Sequence, residues 1–136
     1  MLRRKVQVFV YRRRPALELL LLKRARPSRE GVDEDWAPVT GNVEAHEPIR
    51  AAAIRECAEE IACEVEPEPL GLTFTYEKKG KRFHETIFAA AVPPDEEVEI
   101  SDEHAAFEWL APDKAGARLH WPEQKKALDA VVERYG

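Results

Sequence analysis

Gly41-Asn-Val-Glu-Ala-His-Glu47-Pro-Ile-Arg-Ala-Ala-Ala-Ile-Arg55-Glu56-Cys57-Ala58-Glu59-Glu60-Ile61-Ala62-Cys63 decides how the rest of this chain is understood. From about Pro48 to Ile61 there is no interior glycine or proline, Ala51, Ala52 and Ala53 favour a helix, and Pro48 suits a first turn, where its missing N–H goes unused. At 100° per residue, Ile54, Cys57, Ala58 and Ile61 fall on one side and predict a core face, while Glu56, Glu59 and Glu60 gather on the opposite side. Those carboxylates repel one another by roughly 0.2–0.5 kcal/mol per pair, and they lie in the C-terminal half, where the helix dipole also disfavours negative charge. Arg55 is the only adjacent cation. Acidic helix faces are common and most are merely solvated, so three glutamates alone do not define a site. A divalent ion would resolve the conflict, and an oxygen-rich set suits Mg²⁺ or Mn²⁺.

The wider spacing sharpens this. Gly41, five residues, Glu47, seven residues, then Arg55-Glu56-x-x-Glu59-Glu60 resembles the signature of the Nudix hydrolases, with six fixed positions in register. Two departures are mild: Cys57 and Cys63 fill aliphatic positions, where a free cysteine packs as a small apolar residue. A third is Ala62 in place of the closing glycine; if the backbone there needs a positive φ, alanine costs about 1 kcal/mol.

The resemblance implies an α/β (α+β) Nudix fold, a mixed β-sheet sandwiched between α-helices, as one domain over residues 1–136 with its box at 41–63. It implies Glu56, Glu59 and Glu60 as metal ligands, Gly41 letting the backbone come close to the metal, and Glu47 and Arg55 as a pair bracing loop against helix. A further acid from outside the box often serves as ligand or base in this family; Glu103, in Asp102-Glu103-His104, is the candidate by position. The general base would be Glu103 or one of the box glutamates.

Outward from the box, Val6–Tyr11 is β-branched and aromatic, and Leu17–Leu22 is a continuous apolar run. Arg13, Arg14 and Pro15 between them suggest two strands joined by a turn, the second covered on both faces. Residues 24–35 lack periodicity and read as a loop. In that loop Arg24, just after the strand, is a candidate for a substrate phosphate, and Trp36 is a candidate cover for the site or a packing residue. Residues 64–72 read as extended, 73–77 as a strand, 78–81 as a turn, and 82–92 as a strand entering the core. Glu85 near its start could face the metal site, although a surface position is the expectation. Ala106–Leu110 is a short strand, Asp113–Ala117 a helical turn and Pro122–Tyr135 a closing helix.

Composition sets limits. A chain of 136 residues with 44% hydrophobic and 35% charged residues is long enough to bury a core. Its net charge of −5 and lack of a basic stripe argue against nucleic acid as a partner. The apolar stretch after the basic start is short and broken by Gln7 and Arg12, so neither a signal peptide nor a membrane span is expected and the default location is cytoplasmic. Two cysteines six apart on or beside one helix are too distant for an unstrained disulfide and read as reduced core thiols.

Chemistry follows from the family likeness: divalent-metal-dependent hydrolysis of a phosphoanhydride in a nucleoside diphosphate linked to another group, by a monomer or homodimer. Trp36-Ala-Pro-Val-Thr-Gly41, Asp102-Glu103-His104 and Trp109-Leu110-Ala111-Pro112 look like the bacterial branch that acts on dATP and dihydroneopterin triphosphate. The implied substrate is a small nucleoside or pterin triphosphate, with dinucleoside polyphosphates and ADP-ribose as alternatives. A Nudix-fold binding module without catalysis is the reading from another class, and the retention of all three glutamates disfavours it.

Overall fold

A computed structural model describes residues 2–26 and 35–136; most of the loop expected between Arg24 and Asp35 lies outside the described residues. Seven strands, β1 (Leu2–Arg13), β2 (Leu17–Arg24), β3 (Trp36–Ala37), β4 (Val39–Asn42), β5 (Glu68–Lys78), β6 (Lys81–Ala91) and β7 (His104–Leu110), form one mixed sheet, and three helices, α1 (Ile49–Ile61), α2 (Pro112–Arg118) and α3 (Pro122–Tyr135), cover it.

β1 is the hub. One edge pairs in parallel with β6 from Leu2↔Arg82 to Tyr11↔Ala91. The other edge is shared by two antiparallel partners, β2 at Tyr11–Arg13 and β4 at Lys5–Val8. β2 carries β3 and β7, and β5 closes the far side as a hairpin with β6.

Strand periodicity then divides the interior in two. Val6, Val8 and Val10 face one side with Leu20, Leu22, Phe88 and Ala90, and meet Ala52, Ala53, Cys57 and Ile61 of α1. Phe9 and Tyr11 face the other side with Leu19, Leu21 and Ile87, and meet Ala115 of α2 and Ala127, Leu128 and Val131 of α3. The unbroken apolar run in β2 has the reason anticipated for it: alternate leucines enter cores on opposite faces. Each fully buried leucine or phenylalanine is worth about 1.5–3 kcal/mol of transfer free energy.

Several elements differ from the sequence expectation. No element was expected at Val39–Asn42, which forms β4, held to β1 by the Val6↔Gly41 pairing. Residues 68–78 form one strand with a register shift between Pro69 and Thr73, where Gly71 takes a φ of 73°. Pro48 caps α1 from outside with an extended backbone instead of opening its first turn. The buried face of α1 comprises Ala52, Ala53, Glu56, Cys57, Glu60 and Ile61, whereas Ala58 is exposed and Ile54 half-buried. The helix is therefore turned by roughly 100° from the apolar face expected of it, because the small Ala52 and Ala53 let it approach the sheet with the Glu56 and Glu60 flank inward. Ala62 ends the helix at φ 56°, ψ 35°, in the left-handed region. Both cysteines are buried free thiols, with Cys57 pushed up to about 12 by burial. Among the described residues, no helix is long and apolar enough to cross a membrane.

Candidate active site

The turn of α1 sets the site. Val6↔Gly41 pairing points the Gly41 position toward α1, directly beneath Glu56. A Cβ at Gly41 would lie 1.9 Å from the Glu56 carboxyl carbon, so glycine is required here for close approach: any side chain would take the space the carboxylate occupies.

Arg55 organises the outer half. Its guanidinium bonds Glu47 twice, Nε to Oε2 at 2.9 Å and Nη2 to Oε1 at 3.1 Å, and Nη2 reaches the Asn42 carbonyl at 2.8 Å. Nη1 turns to the ridge, 2.9 Å from Glu56 Oε1 and 3.2 Å from Glu59 Oε2. A planar fork with five donors can serve several carboxylates at once, which lysine could not do. Glu47 also accepts from the Glu44 amide at 2.9 Å; hydrogen bonding from Arg55 first, and then from that amide, lowers its pKa. Residues 42–47 and the helix are thus fastened to each other.

The inner half holds the stressed carboxylates. Glu56 and Glu60 are 7% and 6% exposed, while Glu59 stays in solvent. Burial raises the pKa of Glu56, opposed by Arg55. Glu60 is pushed up to about 7, by burial first and then by hydrogen bonding to and repulsion from Glu103. Ser101 Oγ donates to Glu60 Oε2 at 3.2 Å. His104 Nδ1 lies 2.9 Å from the same oxygen but outside hydrogen-bonding geometry, and burial holds the imidazole below its ordinary pKa. A neutral histidine cannot compensate the cluster.

Of the candidate residues, Gly41, Glu47, Arg55, Glu56, Glu59, Glu60 and Glu103 come together at this edge. Arg24 and His104 line a cavity of about 740 Å³ that runs over the sheet to Gln7 and Glu85. Trp36 is not among the cavity-lining residues: it packs against the second core, with the Arg118 guanidinium 4.5 Å from its ring centroid. Glu85 is not the surface carboxylate expected. It is half-buried in the cavity floor and accepts from Gln7 Nε2 and Tyr76 Oη, each at 3.2 Å. Ser101, Gln7 and Lys5 were not singled out from sequence. Gln7 alone left a trace, as one polar residue inside the apolar run from Val6 to Tyr11.

The donor set fits a hard divalent cation: buried carboxylates with raised pKa values, and Arg55 the one cation hydrogen-bonded to them among the described residues. The carboxylates do not yet converge, because Arg55 holds Glu56 and Glu59 while Ser101 holds Glu60; among the described residues no three acidic, histidine or cysteine side chains form a ready ligand set.

A mixed sheet of this topology, with an acidic helix packed against a glycine-bearing strand, defines a domain family. The NUDIX domain family matches residues 1–131, and the chain belongs to it. Nudix hydrolases work with divalent metal ions. Dihydroneopterin triphosphate diphosphatase of Escherichia coli K12 is 29% identical over 143 residues, covering 93% of this chain and 90% of that protein. An octanoyltransferase of Myxococcus xanthus is 35% identical over 120 residues; these make up 85% of this chain and 33% of that protein, so the chain spans about a third of it. In three dimensions, the Caenorhabditis elegans Ap4A hydrolase in a binary complex superposes with a TM-score of 0.83 at 25% identity, covering 96% of each chain.

Proposed function

We propose that this protein is a Mg²⁺- or Mn²⁺-dependent pyrophosphohydrolase of nucleoside or pterin triphosphates, releasing the monophosphate and pyrophosphate. We further propose that residues 1–136 work as one domain, in the cytoplasm, as a monomer or homodimer. The observation that carries the reading is the buried Glu56–Glu60 pair, with Glu56 wedged against Gly41 and Glu60 2.9 Å from His104, a residue that also lines a cavity large enough for a nucleotide-sized ligand.

Glu56, Glu59 and Glu60, with the Gly41 backbone beside them, would hold the ion, which supplies charge neutralisation on the phosphoryl oxygens and an acidified water. One of these glutamates, or Glu103 beside Glu60, accepts that water's proton. Arg24, on the cavity wall, faces the phosphates, and the Arg55–Glu47 brace keeps the ridge in place. Trp36 serves by packing the wall rather than by touching substrate.

The E. coli relative, matched over nearly its whole length, supports a triphosphate. The C. elegans structure supports a second reading, a dinucleoside polyphosphate such as Ap4A. ADP-ribose and a non-catalytic module follow behind. The M. xanthus match spans too little of its protein to bear on activity.

A screen of nucleoside triphosphates, dihydroneopterin triphosphate, Ap4A and ADP-ribose with Mg²⁺ and Mn²⁺, scored for the phosphate species released, tests this. Pyrophosphate from a triphosphate is expected. Turnover of Ap4A alone would move the protein to the second reading, and inactivity across the panel would leave the binding module.

A further inference from the structure

The floor of the cavity is polar at a point where a strand sandwich is ordinarily apolar. Gln7 stands in β1 between Val6 and Val8, is 4% exposed, and donates from Nε2 to Glu85 Oε2 at 3.2 Å. Its Oε1 is buried with no hydrogen-bond partner. An orphaned buried acceptor is costly; Oε1 is covered in this structure, but Gln7 lines the cavity, so a small shift of its side chain would bring Oε1 to a donor there.

The strand register builds the rest. Lys5 pairs with Glu85 across the parallel β1–β6 ladder, and Phe74 pairs with Glu85 across β5–β6, so all three project from the same face as Gln7. Glu85 already accepts from Gln7 and from Tyr76 Oη, yet a carboxylate offers about four acceptor positions and two remain. Burial holds its carboxyl above the ordinary range; further N–H donors would stabilise the ionised form. Beside it the Phe83 ring stacks on Tyr76 at 5.3 Å and 19°, and the Lys5 ammonium stands 5.9 Å from the Phe83 centroid.

The floor therefore presents two acceptors, one cationic donor and an aromatic platform. Resting on the assignment of this cavity to a triphosphate substrate, we propose that Glu85, Gln7 and Lys5 select the 2-amino-4-oxopyrimidine edge shared by guanine and pterins. The Glu85 carboxylate takes the ring N–H and one amino hydrogen, Gln7 Oε1 takes the other amino hydrogen, and Lys5 donates to the ring carbonyl. Adenine places a lone pair where the ring N–H is wanted and lacks the carbonyl, so the same floor rejects it.

Equilibrium binding of GMP, IMP and AMP to the full chain with Mg²⁺ tests this without requiring turnover. IMP lacks only the amino group. GMP is expected to bind about tenfold or more tightly than either IMP or AMP. Glu85→Gln, nearly isosteric, should bring the GMP-to-IMP ratio close to one while its unfolding temperature stays near that of the parent; Gln7→Met, which removes Oε1, should do the same if the first variant fails to fold. AMP bound as tightly as GMP, equal binding of GMP and IMP, absence of binding by all three, or unchanged ratios in a folded variant would each overturn the proposal. Hydrolysis of GTP, ITP and ATP is read separately. Equal turnover of all three sinks the base selection and leaves the hydrolase; GMP-selective binding without hydrolysis does the reverse.

Discussion

Two desolvated carboxylate sites, one buried and one half-buried, sit on opposite faces of one sheet, and they suit different guests. On the α1 side, Glu56 and Glu60 are surrounded by other acids and answered by one arginine that is already shared with Glu47 and Glu59. On the other side, Glu85 is surrounded by an amide, a phenol and an ammonium. Burial raises both Glu60 and Glu85, so desolvation alone does not distinguish them. The neighbours do: crowded like charges favour a cation, whereas the donors around Glu85, which outnumber the one further acid among the described residues, Glu123, that bears on it, leave acceptor capacity for the N–H groups of a neutral ligand.

The comparison breaks first at Glu60→Gln. Turnover is expected to fall by about 10²–10⁴, equally for every base, whereas Glu85→Gln shifts the ratio between bases. A Glu60→Gln enzyme with near-normal kcat, or one that lost discrimination instead of rate, would erase the distinction between the two sites.

Next in size is Gly41→Ala. The added methyl displaces the Glu56 carboxyl, and misplacement on the order of 1 Å can cost about a hundredfold. The loss should appear in kcat/KM with Mg²⁺, with a melting temperature that falls little in EDTA. Full activity would show that Glu56 need not stand where it does.

The third test is thermodynamic. Glu60 has an unfolded value of 4.5 and is raised to about 7 in the fold, so between those limits the folded chain keeps a proton that the unfolded chain has released. Metal-free stability therefore falls as pH rises through that window, and a cation competing with the proton stabilises most at its top. The melting shift produced by Mg²⁺ over EDTA should grow from about pH 5 to about pH 8. A shift that is flat, or larger at pH 5, would contradict cation binding at Glu60.

The smallest expected effect is Ala62→Gly. An alanine at φ 56° carries about 1 kcal/mol of strain that glycine relieves, partly offset by chain entropy. The melting temperature should rise by about 2–4 °C with activity unchanged; a fall would mean that the left-handed cap is not strained.

The difference between the two sites also explains what the sequence could tell. The α1 site is local: Gly41, Glu47, Arg55, Glu56, Glu59 and Glu60 lie within twenty residues, and a fixed spacing along one strand and one helix determines who meets whom. Even so, the inward side of the helix was misjudged, because apolar periodicity placed Ile54 and Ala58 in the core and the approach permitted by Ala52 and Ala53 is a tertiary effect. The strands around β1 were legible from β-branched runs; β4 was not, since four residues containing a glycine carry no periodicity. The Glu85 site is wholly non-local. Lys5, Gln7, Tyr76 and Glu85 meet only through the β1–β6 and β5–β6 registers, and register between distant strands leaves no mark in a single chain beyond an out-of-place Gln7.

That same β1–β6 ladder has a consequence during synthesis. Ten paired positions join residues about eighty apart, and contacts of such long sequence separation form slowly. One side of β1 can recruit β2 and β4 early; its other side stays bare until Ala91 has left the ribosome. For that interval an apolar strand from Val6 to Tyr11 presents an open edge to any neighbouring nascent chain, and the window for misassociation closes only when the hairpin that carries Glu85 arrives.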